Sequence, residues 1–190
     1  MSSKANASGL TPEETKSLAT RQPTSEEQAI VGALKDLYSC EPKESSYAVY
    51  ATNAVFHDPV SIAEGVDKIR AQFNALPALF PRSTIDKFNV LEQPASSTLD
   101  RSRSMLVDQD VTYYRDKDPS AKPFKTMNSL LTIERDNSGK ILKHVEEWDH
   151  NRVTDSANAG FLGMLNEGRK KAFAALSMPF VDQTPPADRK

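Results

Sequence analysis

Asn53-Ala54-Val55-Phe56-His57-Asp58-Pro59-Val60, followed by Glu64-Gly65 and the run Val66-Asp67-Lys68-Ile69-Arg70-Ala71-Gln72-Phe73, is the stretch that decides the fold. Apolar alternation over 55–59 predicts a short strand, and Pro59 biases Asp58 away from helical backbone, so the acid stands at a rigid strand end. Residues two apart in a strand share a face, which places Phe56 with Asp58 and Val55 with His57 on the other side. A carboxylate held there has two readings. It is a ligand-facing acid, or it accepts nearby backbone N–H groups and fixes the turn into Ser61.

Upstream, residues 1–23 carry Pro12 and Pro23 and no sustained apolar period, so they are expected to form a flexible tail. Order is expected from Ser25, which can cap a helix with Gln28 reaching back. Ile30, Val31, Leu34, Leu37 and Tyr38 then fall on one helical face. A second short helix is expected after Pro42, with Tyr47, Val49, Tyr50 and Ala51 as its apolar content. Downstream, Val66, Ile69, Phe73 and Leu76 predict a helix from about Gly65 to Leu76, ended by Pro77 and Pro81.

From Ser83 to about His150 the pattern is antiparallel sheet. Strands are expected at 84–91, 103–114, 124–135 and 141–150, and Asp136-Asn137-Ser138-Gly139 is a hairpin signal between the last two. Long twisted strands can curl around a helix to make a cone. A last amphipathic helix is expected after Asp155, with Phe161, Leu162, Leu165, Phe173 and Leu176 on its apolar face and a mouth-covering role. The domain therefore spans 24–180, and 181–190 returns to tail.

The chain has 190 residues, enough to bury a core without staples, and its single Cys40 excludes an intramolecular disulfide. It shows no apolar leader and no stretch of membrane-spanning length, so an intracellular, cytoplasmic protein is expected. A formal net charge of -2 supplies no basic face for nucleic acid. The three histidines lack chelate spacing, so no metal site is expected.

Three pieces, Tyr50-Ala51-Thr52-Asn53-Ala54-Val55-Phe56-His57-Asp58-Pro59, Glu64-Gly65 before a helix, and the closing hairpin from Ser138 to Asp149, resemble the nuclear transport factor 2-like (NTF2-like) superfamily, particularly its SnoaL-like branch. The resemblance implies an α+β cone in which N-terminal helices pack into a curved, mostly antiparallel sheet. It implies a pocket but no particular reaction, since the fold hosts isomerases, cyclases, dehydratases and binders. Asp58-Pro59-Val60 is most similar to the ketosteroid isomerases, where an acid at that place is the general base. In those enzymes a tyrosine and a second acid form an oxyanion hole. Their places fall on Leu34 and Leu131, which argues against steroid-type isomerisation.

On the closing strand Leu142, His144, Glu146 and Trp148 share a face. A set of His, Glu and Trp suits a pocket wall, because Trp supplies area and one donor; an exposed His144–Glu146 pair with Trp148 in the core is the alternative. Tyr113 and Asn128 lie mid-sheet and are further ligand-contact candidates, as is His57 at the rim. The expected protein is a cofactor-free, small-molecule-binding member of this group, acting as isomerase, cyclase or dehydratase on an apolar ligand with Asp58 as base or anchor. It is expected to be a homodimer, because both sheet faces carry apolar residues such as Leu106, Val107, Leu130 and Leu131. The alternative is a non-catalytic dimeric interaction module with a filled cone.

Overall fold

The computed structural model describes residues 4–153 and 183–188. Its elements run α1 (Pro12–Lys16), α2 (Gln28–Tyr38), α3 (Glu44–Ala48), β1 (Tyr50–His57), β2 (Ile62–Glu64), α4 (Val66–Leu79), β3 (Arg82–Leu91), β4 (Ser104–Tyr114), β5 (Lys125–Arg135) and β6 (Ile141–Trp148), with a 3-10 turn at Pro186–Asp188. The six strands form one sheet in the order β2-β1-β6-β5-β4-β3. Every pairing is antiparallel except β1 with β6, which is parallel and carries a register shift between Tyr50 and Val55. The α+β cone expected from the sequence is the observed architecture. The expected C-terminal helix lies outside the described residues.

Several boundaries differ. Tyr50 and Ala51 belong to β1 rather than to the short helix, because Tyr50 pairs with Ile141. α4 continues through Pro77 to Leu79 and closes on the Phe80 N–H bond to the Leu76 carbonyl at 2.7 Å. Ser25 does not cap α2. Glu27 occupies the cap position, and its carboxylate instead accepts from Arg21 at 2.7 Å and from the Thr24 N–H at 2.8 Å.

Inside the cone, Leu34, Leu37 and Tyr38 of α2 and Ile69 and Phe73 of α4 pack on Phe56, Met105, Val107, Leu131 and Ile133 of the sheet. The outer face has a smaller cluster of Leu91, Leu106 and Leu130, packed by Leu18 and Leu99. That cover corrects the flexible-tail expectation for residues 4–22. The segment crosses the outer face, pairs Thr20 with Leu91, and hydrogen-bonds the β3 edge through Arg21 N to Val90 O at 2.9 Å and Glu92 N to Ala19 O at 2.8 Å. Leu10, Ser8 and Thr15 are buried.

The segment holds on with polar groups rather than an apolar stripe, which is why no hydrophobic period betrays it. Thr11 and Glu14 form a capping box around α1 with Pro12 at its first turn. The Ala7 N–H donates to both Glu147 oxygens at 3.1 and 3.0 Å, and Thr15 Oγ1 lies 2.8 Å from His150 Nδ1. His150 Nε2 is 3.1 Å from Asp108 Oδ1, and Lys87 completes the group at 3.0 Å from Asp108. The apolar outer face that motivated a dimer is thus covered, at Leu106 and Leu130, by the chain itself. Residues 183–188, also expected as tail, dock as well: Asn74 Nδ2 donates to the Gln183 carbonyl at 3.1 Å, and the Glu44 N–H donates to Asp188 Oδ2 at 2.8 Å. Among the described residues no helix is long and apolar enough to cross a membrane.

Candidate functional site

A cavity of about 430 Å³ opens between α2, α4 and the concave face of the sheet. Its position follows from the strand pattern. β1 and β6 run parallel with Phe56 beside His144, and the same register two residues on brings Asp58 beside Glu146. Both acids line the cavity, together with Tyr38 of α2, Gln72 of α4, Tyr113 of β4 and Trp148 of β6.

Asp58 satisfies both readings made from the sequence. Its Oδ1 accepts from the Val60 N–H at 2.8 Å, the Ser61 N–H at 2.5 Å and Ser61 Oγ at 3.1 Å, which fixes the turn. Its Oδ2 accepts from Gln72 Nε2 at 3.0 Å. The turn therefore aims the second oxygen into the cavity. Gln72 is a site residue with no sequence signal of its own, since it lies off the apolar stripe of α4.

Glu146 is 8% exposed, and Tyr38 donates its hydroxyl proton to Oε2 at 2.8 Å. Burial and then the Asp58 charge raise its carboxyl, hydrogen bonds from Tyr38, Ser129 and Trp148 oppose the rise, and the net result is about 7. The Tyr113 phenol, raised by burial and by the Glu146 charge, lines the same cavity.

Behind Tyr38 lies His144, completely buried, with its ring edge-on to Phe56 at 4.8 Å and stacked on Phe73 at 6.4 Å. Burial lowers it to about 3, so it is neutral. Its Nδ1 is 2.9 Å from the Tyr50 hydroxyl and its Nε2 is 3.4 Å from the Tyr38 hydroxyl. His144 is thus neither a cavity wall nor an exposed partner of Glu146. It shares that strand face but sits deeper in the cone, where α4 closes over it.

Two expected ligand contacts lie elsewhere. His57 faces the outer surface, in a separate cleft with Ala7, Lys143 and Glu147, as strand alternation implies. Asn128 also faces outward, and its amide donates to Asp108 at 2.9 Å and Asp110 at 2.8 Å. Its neighbour Met127 points to the cavity instead. Phe56, Asp58, Tyr113, Glu146 and Trp148 are the expected residues that the structure brings together.

The absence of an oxyanion hole argued from Leu34 and Leu131 changes in the folded chain. Tyr38 stands one helical turn after Leu34 on the same face, and Glu146 is directly cross-strand from Leu131. A tyrosine and a second acid thus reach the cavity from neighbouring positions. The signal was present: Tyr38 is the one apolar-stripe residue of α2 with a polar tip. At the mouth, Val60, Leu79 and Phe124 are exposed apolar residues and Lys125 supplies a cation. Among the described residues no cluster of three or more His, Cys, Asp or Glu side chains is placed to hold a metal.

No protein-family model and no curated protein matches the chain. Solved structures do. A SnoaL-like polyketide cyclase from Shewanella putrefaciens superposes with a TM-score of 0.50 at 12% identity, covering 76% of this chain and 92% of that one. The fold is the NTF2-like cone. The salinomycin epoxide hydrolase/cyclase-like enzyme SalBIII matches with a TM-score of 0.49 at 16% identity, over 73% of this chain and 94% of its own. An isomerase of the SnoaL-like family from Agrobacterium tumefaciens gives 0.47 at 16% identity, over 66% and 98%. SnoaL-like proteins are thus among the structures that share the fold of this chain.

Proposed function

We propose that the protein binds an apolar small molecule in the cone and moves a proton on it without a cofactor. The observation that carries this reading is the pair Asp58 and Glu146 in one apolar cavity, with environments that give them different tasks. Two carboxyl groups in one site divide into acid and base when their proton affinities are pushed apart. Asp58 presents Oδ2, which accepts from Gln72, and acts as base or anchor. Glu146, with its carboxyl up at about 7, acts as acid.

For a ligand with a carbonyl group, Asp58 Oδ2 takes the proton from the neighbouring carbon. The C–H electrons form the new C=C bond, and the carbonyl π electrons move to oxygen, which receives a proton from Glu146. Two outcomes follow, and in both the enol O–H proton returns to Glu146 as the carbonyl re-forms. With a β,γ C=C in the ligand, the electrons shift and the far carbon takes the Asp58 proton, giving the conjugated isomer. With a β-hydroxyl, the C–O bond breaks and the hydroxyl leaves as water with the Asp58 proton. Tyr113 and Trp148 supply wall area, and the Tyr113 hydroxyl is a donor for the ligand. A cavity with two acids disfavours the alternative, a dimeric interaction module with a filled cone. The same reading takes the protein as intracellular, with its single cysteine buried, and leaves homodimer formation to surfaces other than the Leu106–Leu130 patch.

The test is hydrogen–deuterium exchange at the α-carbon of a panel of cyclic ketones (cyclohexenone, tetralone, decalone), followed by NMR in D₂O. Wild-type protein is expected to accelerate exchange of at least one of them. Asp58→Asn should reduce the rate by about 10²–10⁴-fold, the usual contribution of a positioned base. Absence of protein-dependent exchange across the panel, or equal rates in the variant, would refute the reading.

A further inference from the structure

We propose that Tyr50 and His144 are positioning residues for the pocket acid: acting through Tyr38, they set the direction of a buried hydrogen-bond chain and thereby which oxygen of Glu146 carries its proton. The proposal rests on Glu146 being the acid of the cavity. The chain runs Tyr50 hydroxyl to His144 Nδ1 at 2.9 Å, His144 Nε2 to Tyr38 hydroxyl at 3.4 Å, and Tyr38 hydroxyl to Glu146 Oε2 at 2.8 Å. Tyr38, Tyr50 and His144 are all in the core. None of them has water to fall back on, so each proton must be placed within the chain.

Tyr50 decides the direction. Its hydroxyl has one partner among the described residues, His144 Nδ1. A buried O–H that does not donate is costly, so Tyr50 donates and Nδ1 accepts. A neutral imidazole with a bare Nδ1 carries its hydrogen on Nε2, which then points at the Tyr38 oxygen. Tyr38 is left to donate to Glu146 Oε2. Every link runs toward the pocket.

The reverse order needs Glu146 to donate to Tyr38, Tyr38 to Nε2, and Nδ1–H to Tyr50, leaving the Tyr50 proton without an acceptor. Tyr50 therefore acts as a lock against the one arrangement in which the acid's proton is turned away from the cavity. When Glu146 is protonated, the hydrogen sits on the oxygen that Tyr38 does not occupy. Successive donors in a row also polarise one another toward the carboxylate. Other groups facing Glu146 are the Asp58 charge, Ser129 and Trp148; Tyr113 and Lys125 share the cavity with it. None of these touches the Tyr50 end of the chain, so the two influences separate in mutants.

The experiment uses the full chain without ligand. Glutamate side chains are labelled with ¹³C at the carboxyl carbon, and Glu146 is titrated by NMR in wild type, Tyr50→Phe and Tyr47→Phe. Tyr47 is a second buried tyrosine, close enough to raise the Tyr50 phenol by its charge, but its hydroxyl donates to Asn74 Oδ1 at 2.6 Å and is no link of the hydrogen-bond chain. Tyr50→Phe opens the reverse arrangement to the protonated acid and weakens donation to the anion, so the Glu146 midpoint should rise by about 0.5 unit or more. Tyr47→Phe should move it by less than about 0.2 unit. Equal shifts in the two variants, or a fall with Tyr50→Phe, would overturn the proposal.

Where Tyr50→Phe does not fold, the wild-type imidazole decides alone. Its ¹⁵N shifts should report hydrogen on Nε2 and a bare Nδ1, and hydrogen on Nδ1 would overturn the proposal. Both readouts are independent of ketone exchange. A failed relay with active exchange removes only the positioning role; a verified relay without exchange removes only the proposed reaction.

Discussion

Glu146 and Glu147 are neighbours on β6, are both held up at about 7, and do opposite things. Burial is the leading cause for each. Glu147 faces outward, where the Ala7 and Val153 N–H groups converge on it, and it pins the N-terminal segment across the sheet. Glu146 faces inward, where Asp58 repels its charge and an apolar cavity leaves room for a guest. The outer acid takes backbone donors from the N-terminal segment and from Val153; the inner acid takes side-chain donors and lines the cavity. A raised carboxyl alone therefore does not mark a functional site; both acids take donors from the fold, and what distinguishes Glu146 is that it also lines the cavity beside Asp58.

The most severe way to break the contrast is to remove residues 1–22. The Leu106–Leu130 patch, Glu147 and the Asp108–His150 pair would lose their cover, and a loss of roughly 3 kcal/mol or more is expected from uncovered apolar surface and orphaned polar groups. Urea unfolding measures it. A midpoint unchanged from the full chain would show that the segment contributes nothing to stability.

Single substitutions separate the two acids. Glu146→Gln should slow ketone exchange by about 10²-fold while raising stability at pH 8 by about 1–2 kcal/mol, because a buried group no longer has to ionise. Glu147→Gln should leave exchange within about 2-fold of wild type and lower the stability by about 1 kcal/mol, a weakened hydrogen bond to a charged group. Loss of exchange in the outer variant would dissolve the distinction between the faces.

The pH profile tests both acids together. Each glutamate has a folded pKa raised above its unfolded value of 4.5, so the stability it contributes is complete below that value and lost as pH rises through about 7. His144 has the opposite sign: depressed to about 3, it contributes fully above its unfolded value of 6.5 and loses that contribution as pH falls. Together these groups give maximal stability near about pH 5 and a decline toward pH 8. Thermal unfolding from pH 5 to 8 should show this decline, flattened in Glu146→Gln. A steady rise in stability over that range would contradict the assigned directions.

The smallest effect belongs to the rim. Phe124 is half exposed at the mouth, so Phe124→Ser should change stability by less than about 0.5 kcal/mol. It should still weaken binding of an apolar dye such as anilinonaphthalene sulfonate by about 2–5-fold through lost contact area. An unchanged dye affinity would place the dye, and by extension an apolar guest, away from this mouth.

Much of the cone was legible because it is written in apolar periods: the α2 stripe, the α4 stripe and the four long strands all answer to alternation or helical spacing. Asp58 was legible because Pro59 and the strand period constrain it. Tyr38 was visible as a helix-face residue but not as a donor, since its partner Glu146 is more than a hundred positions away and joined only by tertiary packing. Asn128 was misplaced because a mid-sheet polar residue fits either face until the neighbouring strand is known. The N-terminal segment was missed for a different reason. Thr11-Pro12-Glu13-Glu14 is a helix-start signal, but the absence of an apolar stripe outweighed it, and attachment through backbone groups to a buried acid leaves no hydrophobic trace.

The parallel pairing of β1 with β6 has a consequence for how the chain is made. Phe56 finds its strand partner His144 only after the three intervening long strands exist, so the cavity cannot assemble from local contacts. Pairings of such sequence separation close slowly, and a growing chain carries them unformed. β1 emerges early with apolar Val55 and Phe56 and only the three-residue β2 beside it, and it waits for the last strand of the sheet. The interval between the synthesis of β1 and that of β6 is the period in which this chain is most open to wrong pairing, and both acids of the pocket come into register at its end.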